Sequence, residues 1–170
     1  EKIEGTRCAL LDTRKTIPGL RALEKYAARK GGGNNHRLGL HDGVLIKDNH
    51  IAVAGGVGKA VARAKTSGLS DIEVECDTLD QVAEALEAGA DSLLLDNMDV
   101  ETLRRAVALR DGKNAKARLE ASGGITIETI RVIAKTGVDF ISVGRITQSA
   151  PAVDMGLDFI VGDKTKERDG

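Results

Sequence analysis

The sequence predicts an α/β fold: an incomplete TIM-type parallel α/β barrel of about six βα units. Three observations predict it. Short apolar runs alternate with segments of helical period along the whole chain. Polar or charged residues stand at the carboxyl end of every run, the habit of barrels whose function is spread over all strand ends. No GxGxxG follows the first run, which sets aside an open, doubly wound nucleotide fold.

The first run, residues 7–11, stops at Asp12, Thr13, Arg14 and Lys15. Leu20, Leu23 and Ala27 then share one helical face, and a glycine-rich basic loop follows from Gly31 to Arg37, containing His36. The second run, Val44–Ile46, stops at Lys47, Asp48, Asn49 and His50. If these two strands are neighbours, Arg14, Lys15, Arg37 and Lys47 converge. A chain of net charge −1 does not gather cations without repulsion, and an anionic ligand is the simplest compensation.

Val57, Ala60, Val61 and Ala64 form the next helical face. The third run, Ile72–Cys76, carries Glu73 and Glu75 on one side, because strand side chains alternate, with Glu75 nearer the functional end. Thr78 and Gln81 make a capping box for a helix with Leu79, Val82, Ala83 and Leu86 inward, and Gly89 stops it. The fourth run, 92–95, ends at Asp96 and Asn97. Asp99 is a candidate cap for the helix of Leu103, Ala106, Val107 and Arg110. The fifth, 118–121, passes into Ser122-Gly123-Gly124-Ile125-Thr126, with Thr126 capping Ile127, Ile130, Ile133 and Ala134 and Gly137 closing. The sixth, 140–143, meets Gly144 and Arg145. About six units fall short of the eight of a full barrel, so the barrel is incomplete or completed by further chain. Residues 1–159 read as one barrel domain and 160–170 as a charged, solvated tail.

Composition narrows the function. A chain of 170 residues buries roughly 70% of its unfolded surface, enough for one domain with a sizeable core. Balanced charge and 2% aromatic content argue against nucleic-acid binding. No run approaches the roughly 20 apolar residues of a membrane span, and no signal peptide is evident. Cys8 and Cys76 lie in apolar runs and read as core thiols in a reducing, cytoplasmic setting. The chain starts at Glu1 without an initiator Met, and the expectation is a piece of a longer protein.

Two glycine-bearing loops in succession, Ser122-Gly123-Gly124 and Val143-Gly144-Arg145, read as a phosphate cradle or as ordinary tight turns. Glu75 and Asp96 suit sugar hydroxyls, Mg2+ or a developing positive charge; the plainer reading is a salt-bridge pair with Lys47 or Arg14. Lys47, at a core-facing strand end, is paired or functional, or else turns out to solvent. His36 can donate to a carboxylate or stabilise its loop. Histidine spacing gives no zinc site.

Taken together these residues resemble the quinolinate phosphoribosyltransferase (nicotinate-nucleotide pyrophosphorylase, carboxylating) family. The likeness runs through DTRKTIPGLRALEKYAARKGGGNNHRLGL, LIKDNHI, VECDTL, LLLDNM, EASGGI and VGRITQSAPAVDMGLDF, in order over residues 5–159. The resemblance implies a barrel preceded by an α/β sandwich domain, in dimers with sites at subunit boundaries. It implies phosphoribosyl transfer from phosphoribosyl pyrophosphate to quinolinate with decarboxylation, giving nicotinate mononucleotide for NAD biosynthesis. Carried over, Thr13, Arg14, Lys15, His36, Arg37 and Lys47 would bind carboxylates and phosphates. Glu75 and Asp96 would form the ribose and Mg2+ side, the ion being held mainly through substrate oxygens and water. Ser122, Gly123, Gly124, Val143, Gly144 and Arg145 would hold the 5′-phosphate. Lys47, Glu75 and Asp96 would be catalytic. The family's N-terminal domain has no counterpart here; in the family it supplies cations and covers the barrel opening. A changed-substrate sugar-phosphate barrel and a non-catalytic anion-binding barrel stand as alternatives.

Overall fold

A computed structural model of the protein describes residues 1–113 and 116–159; the tail expected over 160–170 lies outside the described residues. The strands are β1 (Ala9–Leu11), β2 (Val44–Ile46), β3 (Ile72–Cys76), β4 (Ser92–Asp96), β5 (Arg118–Ser122) and β6 (Phe140–Ser142). The helices are α1 (Arg21–Lys30), α2 (Asp48–Ala54), α3 (Val57–Thr66), α4 (Leu79–Glu87), α5 (Val100–Lys113), α6 (Ile130–Ala134) and α7 (Arg145–Gln148). All strand pairs are parallel, in the order β1-β6-β5-β4-β3-β2.

Alternation within the strands builds two environments. Ile72, Val74 and Cys76 of β3, Leu93 and Leu95 of β4, Leu119 and Ala121 of β5 and Ile141 of β6 are buried in the apolar core. Against them pack Val57 and Val61 of α3, Val82 and Leu86 of α4, Leu103 and Ala106 of α5, and Ile130 and Ile133 of α6. The intervening residues are mostly polar and line the concave side: Glu73, Glu75, Ser92, Asp96, Arg118, Glu120, Ser122 and Ser142. Register aligns them, Glu75 opposite Leu94, Leu94 opposite Glu120, and Asp96 opposite Ser122. The core is therefore the layer between sheet and helices, and the inside of the curl is a polar cavity.

Two caps behave as their residues predict. The Gln81 N–H donates to Thr78 Oγ1 at 3.2 Å while Gln81 Oε1 accepts from the Thr78 N–H at 3.1 Å. The Thr102 N–H donates to Asp99 Oδ1 at 2.7 Å. Asp139, ahead of β6, accepts from buried Arg110 at 2.8 Å and from the Leu119 N–H at 2.8 Å, locking α5 to two adjacent strands.

Three expectations are corrected. β1 and β2 are not neighbours; they are the two outer edges of the sheet, β1 pairing with β6. What joins the edges is the glycine-rich loop. The Asn34 N–H donates to Leu10 O at 2.8 Å and the Asp12 N–H to Asn34 O at 3.0 Å, while the Arg37 guanidinium reaches Gly43 O at 3.2 Å, next to β2. The loop spans the seam that a full barrel fills with strands. Second, the Leu20–Leu23–Ala27 face of α1 is solvent-facing, Leu23 being 62% exposed, and Lys25 is the buried residue of that helix. Third, Thr126 does not cap the sixth helix: Thr129 Oγ1 accepts from the Thr126 N–H at 3.0 Å in a preceding turn, and α6 starts at Ile130. Beyond β2, IKDNHI continues as helix α2, where His50 Nδ1 accepts the Lys47 N–H at 3.0 Å.

Candidate active site at the strand ends

The exit of β1 is pinned from three sides. Thr13 Oγ1 accepts the Lys15 N–H at 3.0 Å, Thr147 Oγ1 of α7 donates to Lys15 O at 2.7 Å, and Arg21 of α1 donates to Arg14 O at 3.0 Å. Backbone held this way aims the Arg14 and Lys15 side chains. Just before them Asp12 is fully buried. It pairs with the Lys25 ammonium and accepts from Asn35 Nδ2 at 2.6 Å and the His36 N–H at 2.8 Å; Lys25 also donates to His36 O at 2.9 Å. A buried ion pair is tolerable when its remaining hydrogen-bonding capacity is used, and here it anchors the seam loop.

A cavity of about 380 Å³ collects side chains from every strand end: Thr13, Arg14 and Lys15, His36 and Arg37, Leu45 and Lys47, Glu75, Leu94 and Asp96, Glu120 and Ser122, and Ser142. A second, of about 250 Å³, is lined by Ser122, Gly123, Gly124, Val143, Gly144 and Arg145 and shares Thr13, Lys15, Ser122 and Ser142 with the first. All the site residues expected from the sequence thus border one pair of adjoining cavities. The four cations converge although β1 and β2 are not paired, because the sheet curls and the loop bridges its edges.

Cations outnumber carboxylates along the two cavities, which suits an anionic ligand. Burial, and then the neighbouring Arg14 guanidinium, hold the Arg37 pKa below its usual value. Arg14 Nε is buried without a hydrogen-bond partner among the described residues. Lys47 pairs with Glu75 across β2 and β3, and Asp96 accepts from Asn97 Nδ2 at 2.7 Å. Gly123 is where the cradle depends on a missing side chain: at φ +91° a Cβ would collide with Asn97 Oδ1.

His36 turns inward from the seam loop. Its Nε2 lies 3.2 Å from both Glu73 Oε2 and Glu120 Oε2, and its Nδ1 accepts the Arg37 N–H at 2.7 Å. The donor atoms of this trio lie within 4.8 Å of one another, a spacing that a metal ion tolerates. The Arg37 N–H occupies the Nδ1 lone pair, however, so the ring hydrogen is on Nε2, which offers a hydrogen and not a lone pair. The trio is a proton-holding cluster. Burial disfavours charge on His36, while Glu120 and Glu73 favour it and push its pKa up to about 10. Burial also pushes the Glu120 carboxyl up, opposed by His36 and aided by Glu73. The cluster thus keeps a second proton near neutral pH. On Nδ1 that proton would point at the Arg37 N–H, so it belongs on Glu120, whose burial raises its carboxyl.

Glu120, Ser142, Asp12 and Lys25 were not singled out by sequence reasoning. Glu120 and Ser142 have a readable signal, the period-two alternation of Arg118–Ser122 and Phe140–Ser142. Asp12 and Lys25 have none, since their pairing links a strand end to a helix. His41 and His50 line neither cavity at the strand ends. A larger cavity, about 860 Å³, opens at the amino ends of the strands, by Asp71, Ser92, Arg118 and Phe140, and reaches Glu73, His36 and Glu120 from below.

The chain matches the family model for the quinolinate phosphoribosyl transferase C-terminal domain over residues 1–158. It is 44% identical to the probable nicotinate-nucleotide pyrophosphorylase (carboxylating) of Bacillus subtilis (strain 168), over 96% of this chain and 58% of that protein. It is 46% identical to the nicotinate-nucleotide pyrophosphorylase (carboxylating) of Mycobacterium leprae (strain TN), over 93% of this chain and 56% of that protein. The solved structure of the nicotinate-nucleotide pyrophosphorylase from Francisella tularensis superimposes with a TM-score of 0.83 at 50% identity, covering 90% of this chain and 54% of that one. The chain spans little more than half the length of these relatives.

Proposed function

The chain belongs to the quinolinate phosphoribosyl transferase family, as its C-terminal domain, and from that premise we propose that it carries the reacting centre for phosphoribosyl transfer to quinolinate with decarboxylation. The products are nicotinate mononucleotide, pyrophosphate and CO2. The observation that carries the reading is the pair of adjoining cavities, one rich in cations and one lined by glycines.

In this reading Arg14, Arg37 and Lys47 hold the quinolinate carboxylates, with the seam loop at His36 closing that side. Guanidinium forks suit two carboxylates on one ring. The 5′-phosphate rests on the backbone of Ser122–Gly124 and Val143–Arg145, with Thr13 and Lys15 on the rim shared by both cavities. Glu75 and Asp96 face the ribose. As pyrophosphate leaves, positive charge grows on the ribosyl carbon, and these two carboxylates stabilise it. The pyridine nitrogen then bonds to that carbon, and the positive charge on the nitrogen stabilises the electron pair left on the adjacent ring carbon when CO2 departs.

Mg2+ fits as a substrate-borne ion. Glu75 is engaged by Lys47 and Asp96 by Asn97, so the ion would be held mainly by phosphate and ribose oxygens and water. When bound it neutralises the leaving pyrophosphate. The whole protein is proposed to be a cytoplasmic homodimer or higher homo-oligomer. The exposed apolar face of α1, with Leu20, Leu23 and Tyr26, supports an assembly partner. The buried free thiols Cys8 and Cys76, raised by burial to about 12, suit a reducing compartment.

The test is incubation of the full-length protein with quinolinate, phosphoribosyl pyrophosphate and Mg2+, scoring CO2. Release of CO2 and pyrophosphate in equal amounts is expected. Tight binding of phosphoribosyl pyrophosphate without either product would leave an anion-binding barrel instead.

A further inference from the structure

Loss of CO2 from a pyridinium leaves an electron pair on the ring carbon, and a proton must take the carboxylate's place. The groups assigned above are poor sources of it. Arg14 and Arg37 do not give up protons readily, the Lys47 ammonium is held by the Glu75 carboxylate, and Lys15 stands on the rim of the glycine-lined cavity.

One group in the cavity wall is arranged as an acid. Glu120 is 2% exposed, on the inward face of β5, and borders both the strand-end cavity and the larger cavity beneath it. Its Oε2 lies 3.2 Å from His36 Nε2. Its Oε1 has no hydrogen-bond partner among the described residues. The Ser142 hydroxyl donates toward this carboxyl and favours its anion, but burial outweighs it. A buried anionic oxygen with nothing to accept from is costly. A neutral carboxyl with its hydrogen on Oε1 removes that cost, and burial favours it. Glu73 faces the larger cavity and does not border the smaller one, and its Oε2 lies 3.2 Å from the same His36 Nε2.

We propose, resting on the phosphoribosyl-transfer reading, that Glu120 protonates the ring carbon vacated by CO2 from its unpartnered Oε1, and that Glu73 reloads it through water of the larger cavity, which both carboxyls border. The carbon–carboxylate bond breaks, CO2 leaves, and its electron pair stays on the ring carbon. That pair takes the hydrogen of Glu120 Oε1. The Glu120 anion is then stabilised by the His36 Nε2–H, which keeps its hydrogen, and it regains a proton from water of the larger cavity, handed on by Glu73. No oxidant or further reactant is needed.

The experiment uses the full-length enzyme that carries this domain and follows pyrophosphate and CO2 separately in a single turnover. Glu120→Gln keeps the size and an oxygen facing His36. It should release pyrophosphate within about twofold of the parent rate, while net CO2 release slows by about 100-fold, because an unprotonated carbanion recaptures CO2. Glu73→Gln leaves Glu120 loaded once, so it should spare the first turnover and slow repeated ones by about tenfold. Equal slowing of pyrophosphate and CO2 in Glu120→Gln, or no slowing, overturns the assignment. If Glu120→Gln does not fold, Glu73→Gln decides: a first turnover as slow as the later ones, or no slowing in either, overturns it. A parent that makes pyrophosphate and CO2 while both variants match it condemns this proposal alone. A parent that makes neither product overturns the phosphoribosyl-transfer reading, and this assignment with it.

Discussion

Lys47 has a side chain 45% exposed, paired with Glu75 across two strand ends. A pair that wet contributes at most about 1 kcal/mol to the fold, so its position in the cavity matters more than its salt bridge. Lys47→Ala is expected to leave stability within about 1 kcal/mol and to cut turnover of the full-length enzyme by on the order of 3 kcal/mol in barrier, roughly 100-fold. Turnover within about twofold of the parent would reduce Lys47 to a surface lysine. The His36 cluster makes a pH prediction. Its second proton is bound more tightly in the fold than in the unfolded chain, where histidine titrates near 6.5. A raised folded pKa means that this stability is complete below the unfolded value. It is lost as pH rises from about 6.5 toward about 10. Denaturant midpoints measured across that window should fall with pH, and Glu120→Gln should flatten the dependence. An equally steep fall in the variant would place the responsible proton elsewhere.

At the scale of elements, the joint between β4 and β5 governs the phosphate cradle. Asn97 sits at φ +53°, its N–H on Ser122 O at 2.9 Å and its side-chain amide on Asp96. Gly123 leaves room for that side chain. Gly123→Val therefore does two things: it puts a branched side chain at a left-handed φ and expels Asn97 from beside Asp96. Loss of phosphoribosyl pyrophosphate binding is expected in calorimetric titration of the folded variant, and unchanged affinity would remove the cradle from these loops. On the opposite side of the sheet, α4 starts with a reciprocal cap. Thr78→Ala leaves the Gln81 N–H without that acceptor and should cost about 1 kcal/mol in urea unfolding, with binding untouched. A loss of binding there would mean that α4 is coupled to the cavity.

At the scale of the molecule, six strands curl around a polar cavity and leave a seam between β1 and β2 that one loop spans. Water reaching the cavity through such an opening screens every charge contact in it. The outer face of α1 and the turn before it expose Ile17, Leu20, Leu23 and Tyr26, and the loop to β2 exposes Leu38 and Leu40. Exposed apolar side chains in this number promote association. Residues 1–170 alone are expected to bind substrates weakly, to release CO2 far more slowly than the full-length enzyme, and to self-associate in light scattering. A monomer that releases CO2 at the full-length rate would make the barrel self-sufficient.

The sequence by itself determined where the six strands and the helices α1, α3, α4 and α5 lie, and with them nearly all of the candidate site. The alternation in Ile72–Cys76 and Arg118–Ser122, the Thr78–Gln81 box and the Asp99 cap are local signals, read within a few residues. Site groups at strand ends inherit that legibility, which is why Arg14, Lys47, Glu75, Asp96 and Ser122 were all in reach. Tertiary structure alone decided which strands are neighbours, since β1 hydrogen-bonds to β6 at the far end of the chain. It decided that the amphipathic face of α1 looks outward while Lys25, 4% exposed, is buried on Asp12. It also decided that His36 gives both ring nitrogens to Arg37, Glu73 and Glu120. These are contacts between segments distant in sequence, and no local period records them: a lysine in a helix carries the same letter whether its charge meets water or a buried carboxylate.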